Sequence, residues 1–165
     1  MNTEKKSLSW GKPLIEIAKL GADGKPGEWK KIPTPVQDST QLTTTPGDKM
    51  EAPVEGGANE AVMYKQSTYT FEFELRVTSQ NFEKPMEDFD GVIADEYAVR
   101  LTPQIQTAKG ILIDRCAFSA GQTYDTTNGE KIKYTADVLA PYDSSRQIKP
   151  YTATETTKPD PDPIG

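Results

Sequence analysis

Between Tyr69 and Val77 the chain reads "YTFEFELRV", and the alternation runs without a slip: Tyr69, Phe71, Phe73, Leu75 and Val77 fall on one side, Thr70, Glu72, Glu74 and Arg76 on the other. A period of two belongs to a β-strand with one dry face and one wet face. A chain that holds such a strand must build a sheet with a core on one side of it. The wet face, with two carboxylates and a guanidinium, then poses the functional question of what it looks at.

More strands are expected around this one. Pro13 to Leu20, "PLIEIAKL", and Glu28 to Ile32, "EWKKI", flank the turn-rich "GADGKPG" and predict a hairpin with an extended loop. Glu96 to Pro103, Gly110 to Ala120 and Lys131 to Ala140 are further candidates, and Asn128-Gly129 marks a turn between the last two. In "NFEKPMEDFDGVI" the residues Phe82, Met86, Phe89 and Ile93 recur at spacings of four, three and four, which predicts one packing helix over 82–93, capped by Asn81 with Pro85 in its first turn. The same stretch has a faint calcium-loop look, but aligning Gly91 with the glycine of such a loop puts Met86 and Tyr97 where ligands belong. The expected fold is therefore mainly β: an antiparallel β-sandwich or small barrel with one flanking α-helix and a long extended arm.

The arm is the segment from about 34 to 66. It holds threonine runs and a Gly-Gly pair with little periodicity, and it is too long for an ordinary connection inside a compact domain. It reads either as a surface insertion or as a binding arm that orders on contact, with Gly56 and Gly57 letting it turn sharply. With 165 residues the chain has room for one domain, expected over 1–150, followed by a mobile threonine- and proline-rich tail over 151–165.

Composition narrows the chemistry. There is no histidine, which removes the commonest general base, the usual partner of a serine or cysteine nucleophile and the usual transition-metal ligand. Glu72 and Glu74 would lie about 7 Å apart on one strand face, but acid–base work needs an apolar pocket to raise one of them, and none is legible nearby. The single cysteine, Cys116, has no base beside it and reads as a core residue. Trp10 and Trp29 could stack on a sugar ring or cover a core edge. A net charge of −6 disfavours binding to phosphate backbones, and "MNTEKKSLSW" has no apolar run of a signal peptide or membrane span. Neither an enzyme nor a cofactor or metal site is expected.

The order of parts is the remaining clue. "WGKPLIEIAKL", the arm with "STQLTTTPGDKMEAPVEGGANEAV", "YTFEFELRV", the expected helix, "GILIDRCAFSAG" and "YTADVLAP" together resemble the major tail tube proteins of tailed phages and prophages of the Bacteroides type, from about Ser7 to Tyr142. These are related in fold to the tubes of type VI secretion and contractile injection systems. The resemblance implies a virion structural protein that self-assembles into stacked hexameric rings, meets other tail proteins and conducts DNA during ejection without binding it specifically. It would be made in the host bacterial cytoplasm and end in the virion tail, with no membrane partner. It further implies a lumen face of Thr70, Glu72, Glu74 and Arg76, acidic enough to repel phosphate, and an inter-ring arm of Leu42, Thr43, Thr44, Thr45, Asp48, Lys49, Glu51, Glu55, Gly56, Gly57 and Glu60. The competing expectation is a small β-sandwich module binding carbohydrate or a protein ligand.

Overall fold

The computed structural model describes residues 11–78, 82–104, 108–143 and 145–151. Ten strands follow in chain order: β1 Leu14–Lys19, β2 Lys30–Lys31, β3 Gln41–Thr45, β4 Lys49–Pro53, β5 Asn59–Tyr64, β6 Thr68–Arg76, β7 Val92–Thr102, β8 Gly110–Asp125, β9 Gly129–Val138 and β10 Ile148–Tyr151. Eight of them form one antiparallel sheet in the order β2-β1-β7-β8-β9-β6-β3, with β10 added to β8, and the sheet curls into a half-barrel around its dry face. β4 and β5 pair only with each other.

β6 sits as its alternation requires. Phe71, Phe73 and Leu75 are buried, whereas Thr70, Glu72, Glu74 and Arg76 lie on the solvent side. Against them β9 turns Ile132, Tyr134 and Ala136 inward. Phe73 is fully buried, with ring centroids of Phe71, Tyr134 and Phe118 at 5.9, 5.4 and 6.2 Å, a cluster in tilted and edge-on contacts that aromatic rings favour. Ile15 and Ile17 of β1, Val99 of β7 and Ile113 of β8 extend this core across the sheet.

No helix forms over 82–93, and the reason is the dipeptide Asp90-Gly91. Both residues have positive φ, 49° and 87°, and Phe89 and Val92 exchange backbone hydrogen bonds of 2.9 and 3.0 Å across them. That is a two-residue hairpin turn of the kind Asp-Gly favours, closed by the Asp88 carboxylate accepting from the Gly91 amide at 3.1 Å. A Cβ on Gly91 would stand 2.7 Å from the Ala120 carbonyl oxygen, so the close approach of β8 needs glycine here. Met86 is buried as the apolar stripe implied, but Phe89 is 82% exposed. The expected cap, Asn81, lies outside the described residues.

The strands expected at 96–103, 110–120 and 131–140 are present and longer than expected in β7 and β8. β10 was not expected; Tyr151, assigned to the mobile tail, pairs with Gly110, and 152–165 lie outside the described residues.

Replacing Phe73 by Ala is expected to cost about 3–5 kcal/mol, because it opens a cavity among three rings. Urea unfolding followed by tyrosine fluorescence reads the change.

Candidate functional site

The arm is a continuation of the sheet. β3 pairs with β6 from Gln41↔Glu72 to Thr45↔Thr68, and β4 pairs with β5 from Lys49↔Tyr64 to Ala52↔Ala61. Three residues separate the strands on each side, 46–48 and 65–67, so the second ladder resumes the register of the first, bridged by the Lys65 amide donating to the Asp48 carbonyl at 2.9 Å. Gly47 permits this: a Cβ there would lie 2.1 Å from the Lys65 carbonyl oxygen. The segment expected to lack pattern is therefore one long hairpin. Its strands escaped notice because both faces of the outer half are wet, which erases the alternation that burial imposes.

Alternation carries the two faces outward with the register. The side that holds Leu42, Phe71 and Tyr69 in the domain continues as Met50 with Met63 and Ala52 with Ala61; the other continues as Lys49 with Tyr64 and Glu51 with Val62. Every residue of β4 and β5 is exposed, and the two strands contact no other strand among the described residues. The tip turns at Gly56 and Gly57, both with φ of 93°, as the sequence suggested. The residues assigned to the arm thus divide: Leu42, Thr43, Thr44 and Thr45 belong to the sheet edge, while Asp48, Lys49, Glu51, Glu55, Gly56, Gly57 and Glu60 belong to the projecting half.

β9 lies beside β6 in the sheet, and its solvent-side residues join the wet face of β6. Lys133 reaches Glu72 at 3.3 Å and Lys131 reaches Glu74 at 3.1 Å, and Gln41 of β3 donates to Glu72. Hydrogen bonding from Gln41, ahead of Lys133, holds the Glu72 carboxyl below the ordinary glutamate value. On β6 and β9 this face sets Glu72, Glu74 and Asp137 against Arg76, Lys131 and Lys133. On these two strands the charges balance, because the neighbouring strand supplies a lysine to each glutamate.

Two arginine clusters lie elsewhere on the solvent side and had no signal in the sequence, since their members stand far apart in the chain. Arg100 of β7 donates to both oxygens of Glu16 on β1, at 3.0 and 2.8 Å, and its guanidinium lies 4.3 Å from the Trp29 ring centroid. Trp29, proposed for stacking on a sugar, thus spends one face on Arg100; Trp10 lies outside the described residues. Arg115 donates to both oxygens of Glu96 and to the Ala140 carbonyl at 3.2 Å, with Tyr142 at 4.3 Å over its guanidinium. A β-bulge makes this second cluster: Asp114 and Arg115 together face Ala98, between the pairs Val99↔Ile113 and Tyr97↔Cys116. Cys116 itself is fully buried, its thiol pushed up by burial and directed at the Tyr97 carbonyl at 3.2 Å, as a core cysteine should be.

No protein-family model matches the chain, and no curated protein matches it.

The Arg115 hydrogen bond holds the Glu96 carboxyl below 4.5, against the opposing effect of burial. A carboxylate with a depressed folded-state pKa stabilises the fold above its unfolded value and ceases to as pH falls through the folded one. Glu96→Gln is therefore expected to be less stable than the parent at pH 7, by up to about 1 kcal/mol for a partly solvated pair. The gap should close on acidification from pH 4.5 downward, and urea midpoints taken across that range measure it.

Proposed function

We propose that this chain is a structural subunit of a phage or prophage tail tube, assembling as stacked hexameric rings. The observation that supports the reading best is the projecting hairpin. A two-stranded ribbon is marginal alone in water, and this one carries Met50, Val54, Val62, Met63 and Tyr64 at exposures from 41 to 68% with nothing among the described residues to cover them. Such a surface fits a chain that is completed by further copies of itself.

The sheet edges point the same way. Among the described strands β3 has a neighbour on one side only, and β2 is an edge of two lysines. Unpaired edges invite strand addition, which in a ring is the means of closure.

Thr70, Glu72, Glu74 and Arg76 remain the proposed lumen face, with a modified rationale. A wall of paired charges offers DNA no surplus of cations, so there is no net counterion release to hold the genome at each ring. Low adhesion follows from neutrality as well as from repulsion.

The arm can be removed without damage to the core, because Thr45 and Thr68 are already a ladder pair. Replacing 46–67 by Asn-Gly should close that pair with a two-residue turn. The expected product is a folded monomer, by circular dichroism and sedimentation, that forms no tubes at concentrations where the parent does by negative-stain microscopy. Tubes of normal bore from the variant, or no rings or tubes from the parent under any assembly condition, would count against the proposal.

A further inference from the structure

Among the described residues, the half-barrel is open at the end from which the arm leaves. Two cross-strand pairs, Leu42 with Phe71 on β3 and β6 and Leu101 with Ile111 on β7 and β8, line one groove there of about 700 Å³, together with Pro13 and Pro35. Leu42, Leu101 and Ile111 pack on the core yet are only partly buried, so the dry face of the sheet reaches the surface at this point. A groove of this size has room for a large aromatic side chain with a smaller one beside it. Its rim charges, Lys12 and Asp38, are of opposite sign and select no charged partner, which leaves apolar fit to choose the occupant.

The chain itself leads into this groove. Gly11 and Lys12 line it, and the Lys12 amide donates to Gln104 Oε1 at 3.0 Å, tying the approach to β1 onto the end of β7. Gly11 has a φ of 91°, and a Cβ on it would collide with Gln104 Oε1, so the position requires glycine. A left-handed residue beside an anchored amide is a place where a chain changes direction. Residue 10 follows at once, one Cα step of about 3.8 Å from a residue of the groove wall.

The segment that ends there is "MNTEKKSLSW", residues 1–10, which lie outside the described residues. Its apolar side chains nearest Gly11 are Leu8 and Trp10, and residues two apart share a side when a chain is extended. A side chain tethered one residue from the groove competes for it at a high effective concentration, which favours this segment over any part of a second copy.

We propose that Trp10, with Leu8 beside it, occupies this groove in its own chain, the indole lying against Leu42, Phe71, Leu101 and Ile111 and closing the mouth of the half-barrel. The position gives the segment a role. Leu42 and Phe71 stand three rungs from the Thr45–Thr68 pair at which the arm leaves the sheet, so a ring wedged among them ties the root of the arm to β7 and β8. The inference concerns a single chain and stands or falls independently of the tube reading.

The chain has two tryptophans, so Trp29→Phe leaves Trp10 as the only indole while keeping a ring over Arg100. In that full-length variant the emission should be blue-shifted from that of the urea-unfolded chain, and acrylamide should quench it severalfold less strongly. Nuclear Overhauser contacts should run from the indole to the methyl groups of Leu42, Leu101 and Ile111. In a mixture of chains labelled only in the indole with chains labelled only in the methyl groups, those contacts should vanish, since they lie within one chain. Leu42→Glu, a change at the sheet edge, should return emission and quenching toward their values in urea with the circular dichroism unchanged. Should Trp29→Phe fail to fold, the same contacts are read in the parent as those lost in Trp10→Phe. An indole as accessible as in urea, an indole without contacts to the three residues, or contacts that persist in the mixed sample and so join two copies, would each overturn the proposal.

Discussion

β6 is gripped on both sides, by β9 from Thr70 to Arg76 and by β3 from Thr68 to Glu72, and the rest of the molecule depends on that double pairing. Because side chains alternate, the register that buries Phe71, Phe73 and Leu75 also fixes which residues meet on the far side. A slip of one residue would put Glu72 and Glu74 into the aromatic cluster. The penalty for that slip, two buried carboxylates, far exceeds any gain from alternative surface pairing. The core thus specifies the register, and the register sets Lys131 and Lys133 diagonally across from Glu74 and Glu72. The ion pairs are consequences of the fold more than causes of it, since pairs of this exposure contribute about 0–1 kcal/mol.

The same register governs the arm. Once Thr45 and Thr68 are paired, the chain on each side leaves the sheet in phase, and the three-residue interruptions are equal in length. The outer ladder needs no core of its own to find its pairing. Equal spacing also keeps the dry side of the domain and the methionine side of the arm on one face of the ribbon, so a surface made by the core emerges from it uncovered.

The sequence was legible where burial imposes a period. β6, the β1–β2 hairpin, β7, β8 and β9 each carry the two-residue alternation or a turn signal at their ends, and each was expected within a few residues except for the longer reach of β7 and β8. It misled at 82–93, where four apolar residues at helical spacing outweighed an Asp-Gly turn two residues before Ile93. A local backbone preference for positive φ at adjacent residues is incompatible with a helix, whatever the stripe suggests. It was silent at β4 and β5, where no face is buried, and at the arginine clusters, where Glu16 and Arg100 meet through strand order alone. The wet face of β6 was located correctly, but its charge could not be, because the compensating lysines sit on a strand sixty residues away in sequence, nearer in space than in the chain.

For the proposed assembly, structure in the arm changes the energetics. A disordered segment that folds on docking loses about 1–2 kcal/mol of backbone entropy per residue at that moment, and a ribbon of this length would then need a large interface merely to break even. Anchoring by the β3–β6 ladder shifts much of that loss to the folding of the monomer, where the aromatic core offsets it. What would remain for the proposed docking of the arm is desolvation of a narrow apolar side, a far smaller cost. In the proposed tube, growth would be controlled by how many arms engage at once: one contact is weak, whereas a ring presenting several arms to the next would bind with the effective concentration of a tethered set.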